Sequence, residues 1–147
     1  MNNIILYDIY NMITIIFIIS VFFIFFDIGF LYLNSRTFEQ QIKQVQTTPL
    51  EIRYESAIAC YILLIGVLYY FIIREHKTPS EAFLLGIAIY GVYETTTYST
   101  LKKWKLETVM KDTIWGGILF YLTTFMTYKI QDKIDSQKSK TLSYKNK

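Results

Sequence analysis

The residues of this chain best suited to chemistry are three carboxylates in apolar surroundings, Asp27, Glu94 and Asp112. Each lies within, or at the end of, a hydrophobic stretch of bilayer-crossing length. A charged side chain at the centre of a bilayer costs about 2.5 to 3.5 kcal/mol on insertion scales, so such acids face a bundle interior, pair with a partner or carry function. Tyr90, Thr97 and Tyr98 lie three or four residues from Glu94, one helical turn away, and offer hydroxyl donors. Trp115 and Gly116 follow Asp112 at the same spacing, while Asn34 and Arg36 lie beyond Asp27, and Lys102, Lys103, Lys105 and Lys111 precede Asp112. The candidate ligand-binding set is therefore Asp27, Tyr93, Glu94, Thr97, Asp112 and Trp115. It describes a polar pocket with carboxylates at its base and cations at its rim, fit for a cation, a lipid headgroup or a small polar ligand.

Other chemistries are poorly furnished. A single cysteine, Cys60, excludes an internal disulfide and a cysteine-based metal motif. The one histidine, His76, stands among Arg74, Glu75 and Lys77 and reads as a solvated loop residue. No metal site is indicated, because no histidine or further carboxylate completes a coordination set around the three acids. Neither a cofactor nor a catalytic residue can be named. Two alternatives stay open: a lipid-modifying enzyme with Glu94 or Asp27 as general base, and an accessory or structural subunit that packs on a larger membrane complex through Gly86, Gly91 and Gly116. The acids also have structural explanations. Asp112 suits a helix N-terminus through the macrodipole, and Glu94 and Asp27 suit hydrogen bonds between helices.

The elements that must position these residues are apolar helices. The chain has 147 residues, 52% of them hydrophobic and 18% aromatic, which is rich for a water-soluble protein of that size. Four spans are expected, at about 9–33, 56–73, 80–98 and 110–128, since about 20 residues of helix cross the hydrocarbon core. The first lacks the basic n-region, short apolar core and cleavage site of a secretory signal. Between Asn34 and Glu55 the chain turns polar. Phe38, Ile42 and Val45 there predict a short amphipathic helix on the membrane surface, ended by Pro49. Thr78-Pro79-Ser80-Glu81 carries the proline and acid of a helix start. Continuously apolar runs of about 18 or more residues do not show the alternation of a membrane barrel strand. The fold class is thus all-α, an integral membrane four-helix bundle with antiparallel sequence neighbours, occupying residues 1–128.

Helix parity then places the three acids on one membrane side, from the interface to about 9 Å below it. Residues 129–147 hold six lysines and read as a flexible basic tail, with an anionic lipid surface as its partner. A nucleic-acid partner is not expected, because the basic segment follows a membrane span rather than lining a soluble face. A homo-oligomer or a membrane-complex partner remains open. With both termini on one side, that side holds eight Lys and Arg against seven on the other, which weakly favours cytosolic termini in a multi-pass membrane protein.

One pattern of residues points to a family. An acid stands near the end of the first span, Tyr93-Glu94-Thr95-Thr96-Thr97 near the end of the third, then Leu101 and Trp104, and Asp112-Thr113-Ile114-Trp115-Gly116 opens the fourth. From about Ser20 to Tyr128 this resembles the domain-of-unknown-function 2177 family of small membrane proteins, whose signature is a Tyr-Asp-Leu-Thr-Asn-like stretch followed by Asp-x-x-Trp-Gly. The resemblance implies a four-helix membrane protein and carries no assigned activity. The chain departs from the pattern in having Glu94 for Asp, Thr97 at or beside an Asn position, and Phe30 or Leu31 where a Trp follows the first acid. The extra methylene at Glu94 suits a hydrogen-bonding role better than tight coordination.

Overall fold

A computed structural model describes residues 2–48 and 50–145. They form four helices: α1 Asn2–Gln46, α2 Tyr54–Leu68, α3 Pro79–Thr100 and α4 Leu106–Lys145, with a π turn Tyr69–Ile73 extending α2. No strand occurs among the described residues, and the protein is all-α.

The surface of these helices is what marks their solvent. Phe17, Phe25, Ile62, Leu63, Leu84 and Val92 are exposed, whereas Asp27, Gln41, Glu94, Thr123, Thr124 and Thr127 are buried. A soluble fold of this size rarely leaves so continuous an apolar exterior around a partly polar core. Hydrocarbon around the bundle removes that conflict. Two helices, Ile5–Gln46 and Tyr54–Ile73, are long and apolar enough to cross a bilayer. The others are more polar: α3 carries Glu94 and a Thr, Ser and Tyr-rich end, and α4 ends in a charged run.

α1 differs from expectation in its continuity. Asn34–Gln46, expected as a separate interfacial helix, prolongs the first span without a break, giving 45 residues in one helix, about 68 Å long. The reason lies in its inward face. Ile19, Phe23 and Asp27 are buried, and Phe30, Asn34, Phe38, Gln41 and Val45 extend the same row at spacings of three and four. A stripe of that period keeps one face against a neighbour across apolar and polar halves alike. Gln46 ends the helix, and Thr47 turns the chain with φ 60°, its N–H reaching the Lys43 carbonyl at 3.0 Å. Pro49, expected as the terminator, lies outside the described residues.

The neighbour is α4, antiparallel to α1 along almost its whole length. Gln41 meets Lys103 and Thr108, Asp27 meets Trp115, Phe23 meets Phe120, and Tyr7 meets Lys138. Each step back along α1 is a step forward along α4. Residues 129–145, expected as a flexible tail, are therefore helical: Gln131 and Ile134 face Asn11, Thr14 and Ile15 of α1 across a shared cleft, and the helix runs on to Lys145.

α3 packs on α4 at close range, and glycine makes that possible. A Cβ on Gly86 would strike the backbone of Gly116 and Gly117, and one on Gly117 would strike Phe83 and Ile87. Small residues let helix backbones approach in this way. α3 starts as its sequence predicts, with Pro79 in the first turn and a reciprocal capping box: Glu81 N–H donates to Thr78 Oγ1 at 3.3 Å, and Thr78 N–H donates to Glu81 Oε2 at 2.8 Å.

α2 closes the bundle through its aromatic and aliphatic face, with Ile65, Leu68, Ile72 and Ile73 joining Ile19, Phe23, Ala82, Leu119 and Phe120 in one core. Its π turn leaves Arg74 N–H on the Tyr69 carbonyl at 2.9 Å, and His76 turns the chain with φ 51°, exposed. The Tyr128 hydroxyl donates to the Lys77 carbonyl at 2.7 Å, so this turn lies level with Tyr128. Beyond that level only α1 and α4 continue.

Candidate functional site

The three acids occupy two separate settings. Asp27 is buried where α1, α2 and α4 meet, and both its oxygens are engaged: Tyr61 Oη donates to Oδ2 at 2.7 Å, and Trp115 Nε1 donates to Oδ1 at 3.0 Å. The Trp115 ring lies flat on Phe30, 4.3 Å between centroids and 5° between planes. The stack fixes the indole so that its N–H faces the carboxylate. A carboxylate that accepts from two donors recovers much of its lost hydration. Trp115 is nine residues into α4, about 13 Å along the helix from its start. Asp27 thus lies well inside the bundle rather than at its end, because α1 continues well past Leu33.

Glu94 and Asp112 form the second setting. Glu94 is 1% exposed, and its Oε2 accepts from Trp104 Nε1 at 2.8 Å. Asp112, half-buried near the start of α4, lies close enough to Glu94 for the two carboxyls to act on each other electrostatically. The donors expected on α3 itself turn elsewhere: the Thr97 hydroxyl donates to the Tyr93 carbonyl at 2.8 Å, the Tyr90 side chain packs over Gly116, and Tyr98 is exposed. Glu94 reaches instead across the α3–α4 turn, where Trp104 N–H is held on the Leu101 carbonyl at 2.9 Å and the indole folds back over the carboxylate. The extra methylene of Glu94 supplies that reach.

Above Trp104 opens a cleft of about 280 Å³. Its walls come from the end of α1 (Ile42, Val45, Gln46), the connection after it (Leu50, Glu51), the end of α3 (Tyr93, Thr97) and Leu101. Tyr93 and Thr97 thus line a cleft whose back wall, Trp104, is bonded to the buried Glu94. Asp27 and Trp115 take no part in it. Among the described residues, no group of three or more His, Cys, Asp or Glu comes together in a way that could hold a metal ion.

Several contributors escape a reading of sequence alone. Gln41, 1% exposed, donates from Nε2 to the Lys103 carbonyl at 2.8 Å and accepts from the Thr108 hydroxyl at 3.4 Å, tying the end of α1 to the α3–α4 turn. Its signal was its register, three residues after Phe38 and four before Val45. Tyr61 carried no signal among the apolar residues of α2. Trp104 stood out only as a position in the pattern that carries the family resemblance. Gly86 and Gly116, considered as contact points for another subunit, are occupied between α3 and α4.

An apolar exterior, a core with buried carboxylates and two helices of bilayer-crossing length define a helical membrane protein. The sequence matches the family described as "Predicted membrane protein (DUF2177)" over residues 9–129, and the chain belongs to it. No curated protein and no solved structure matches the chain.

Proposed function

We propose that this protein crosses the membrane four times and binds a polar, headgroup-sized ligand in the cleft over Trp104, with Glu94 holding the indole in place from behind. In this reading all four helices span the bilayer between the turn at Arg74–Thr78 and the connections at 47–53 and 101–105. Both termini lie in the cytosol, so the cleft faces outward or towards a lumen. The basic end of α4 meets anionic lipid on the cytosolic side.

The observation that carries the proposal is the construction of the back wall. Trp104 is fixed by a buried carboxylate at 2.8 Å beneath an open cleft with polar and apolar walls. Surface clefts on membrane proteins are common, but a buried carboxylate is a costly way to hold a tryptophan that has no further task. The second reading is that the acids only hold the bundle together, and the double pairing of Asp27 favours it for that residue.

Trp104 emission in the detergent-solubilised full chain separates the two. Titration with lipids and soluble headgroups should shift it, and Trp104→Phe should abolish the shift. Glu94→Gln should weaken binding by about tenfold, the effect of losing one charge-assisted hydrogen bond. If Glu94→Gln and Trp104→Phe variants fold and bind every probe as the parent does, the cleft has no ligand and the structural reading stands.

A further inference from the structure

Resting on that reading of the cleft, we propose that its ligand is a zwitterionic phospholipid headgroup, with its ammonium against Glu51, Tyr93 and Trp104 and its phosphate on Lys102 and Lys103. Two adjoining depressions carry the two charges. The first, over Trp104, is lined by Glu51 together with Tyr93 and Trp104. The Trp104 N–H is already given to Glu94, so the indole offers its face rather than its donor. An acid beside aromatic faces is the environment that draws an ammonium group.

The second depression, about 220 Å³, is lined by Val45, Thr100, Leu101, Lys102 and Lys103. It shares Val45 and Leu101 with the first, so opposite charges lie either side of one apolar divide. Lysines at a membrane surface attract phosphate. These two are not on a free loop: the buried Gln41 amide holds the Lys103 carbonyl at 2.8 Å, and Trp104 is anchored to Glu94, so the segment between them is fixed before any ligand arrives. Exposed Leu50 and Ile52 border the same connection and can face acyl chains.

Single-charge ligands fit badly. An anionic headgroup on the lysines meets Glu51, and a simple amine at Glu51 meets Lys102 and Lys103. A molecule carrying phosphate and ammonium a few bonds apart satisfies both depressions.

The test uses the full chain in neutral detergent, titrated with phosphatidylethanolamine, phosphatidylcholine, phosphatidylglycerol, diacylglycerol and water-soluble glycerophosphoethanolamine, and read by Trp104 emission and by native mass spectrometry. The ethanolamine or choline lipid should bind about fivefold or more tighter than phosphatidylglycerol, the worth of one partly exposed ion pair. Glu51→Gln should erase that preference while leaving phosphatidylglycerol binding intact. Lys102→Gln with Lys103→Gln should weaken all three phospholipids about equally and leave diacylglycerol unchanged. Phosphatidylglycerol binding best, or Glu51→Gln leaving the preference in place, overturns the zwitterion assignment while the cleft reading survives. Glycerophosphoethanolamine binding as tightly as the intact lipid overturns the lipid source. No response to any probe removes the cleft reading itself, and this inference with it.

Discussion

Trp115 and Asp27 stand 88 residues apart in the chain and are joined by a 3.0 Å hydrogen bond from the indole N–H to Oδ1. With Tyr61 on Oδ2, one carboxylate links α1, α2 and α4 deep in the bundle. Nothing else among the described polar contacts joins three helices at one side chain. Asp27 therefore ties the fold together, apart from the cleft that Glu94 backs through Trp104.

Asp27→Ala should destabilise the protein by about 1 to 3 kcal/mol, since it leaves two buried donors without an acceptor. Asp27→Asn, which keeps one acceptor oxygen, should cost less. Thermal unfolding in detergent orders the two variants, and Asp27→Ala equal to the parent would remove the role of this residue as a link. Lipid binding at the Trp104 cleft should survive in Asp27→Asn.

The glycines give a sharper contrast. Gly86→Ala presses a Cβ into the backbone of α4, where no side chain can swing aside, and should separate α3 from α4. Gly29 and Gly66 have nothing within 4 Å of the equivalent atom. Alanine there gains about 1 kcal/mol of helix propensity at no steric cost. Protease resistance and unfolding temperature should fall in Gly86→Ala and hold or rise in Gly29→Ala and Gly66→Ala.

Gln41→Leu should loosen one end of the bundle without unfolding it. The Lys103 carbonyl and Thr108 hydroxyl lose their partner, at about 1 kcal/mol for the net hydrogen bonding. Amide hydrogen exchange should rise in residues 42–46 and 101–108 and stay unchanged around Phe23 and Phe120. A uniform rise across the chain would place Gln41 in the global fold instead.

These contacts also show where sequence stops informing. Composition and block length give the helices, and Thr78 to Glu81 gives the start of α3 to the residue, because a capping box is local chemistry. Helix parity puts Glu94 and Asp112 on one side, and they meet. The end of α1 is different. Asn34–Gln46 reads as a surface segment by its polarity, and only α4 reveals that Gln41 faces inward, because its partner lies 62 residues away. The same holds for Asp27, whose depth depends on α1 not stopping where its apolar residues do. Family resemblance supplied Trp104 as a position but not its partner. Pairing across the α3–α4 turn required the fold.

Topology is the last point to test, and the antiparallel run of α1 and α4 makes it tractable. Single cysteines at Ser99 and Ser136, in a Cys60→Ala background, lie beyond opposite ends of the proposed spans, and both positions are exposed. A membrane-impermeant maleimide added to intact cells should label position 99 and spare position 136, which becomes reactive once the membrane is opened. Cys60 in the parent lies six residues into α2, about 9 Å along the helix. It is exposed on the bundle exterior, so hydrocarbon should shield it from the charged reagent in both conditions. Labelling of 136 alone in intact cells would invert the orientation and turn the cleft towards the cytosol. Labelling of both would mean that an even number of crossings, or none, separates the two positions, and the four-span arrangement would fall.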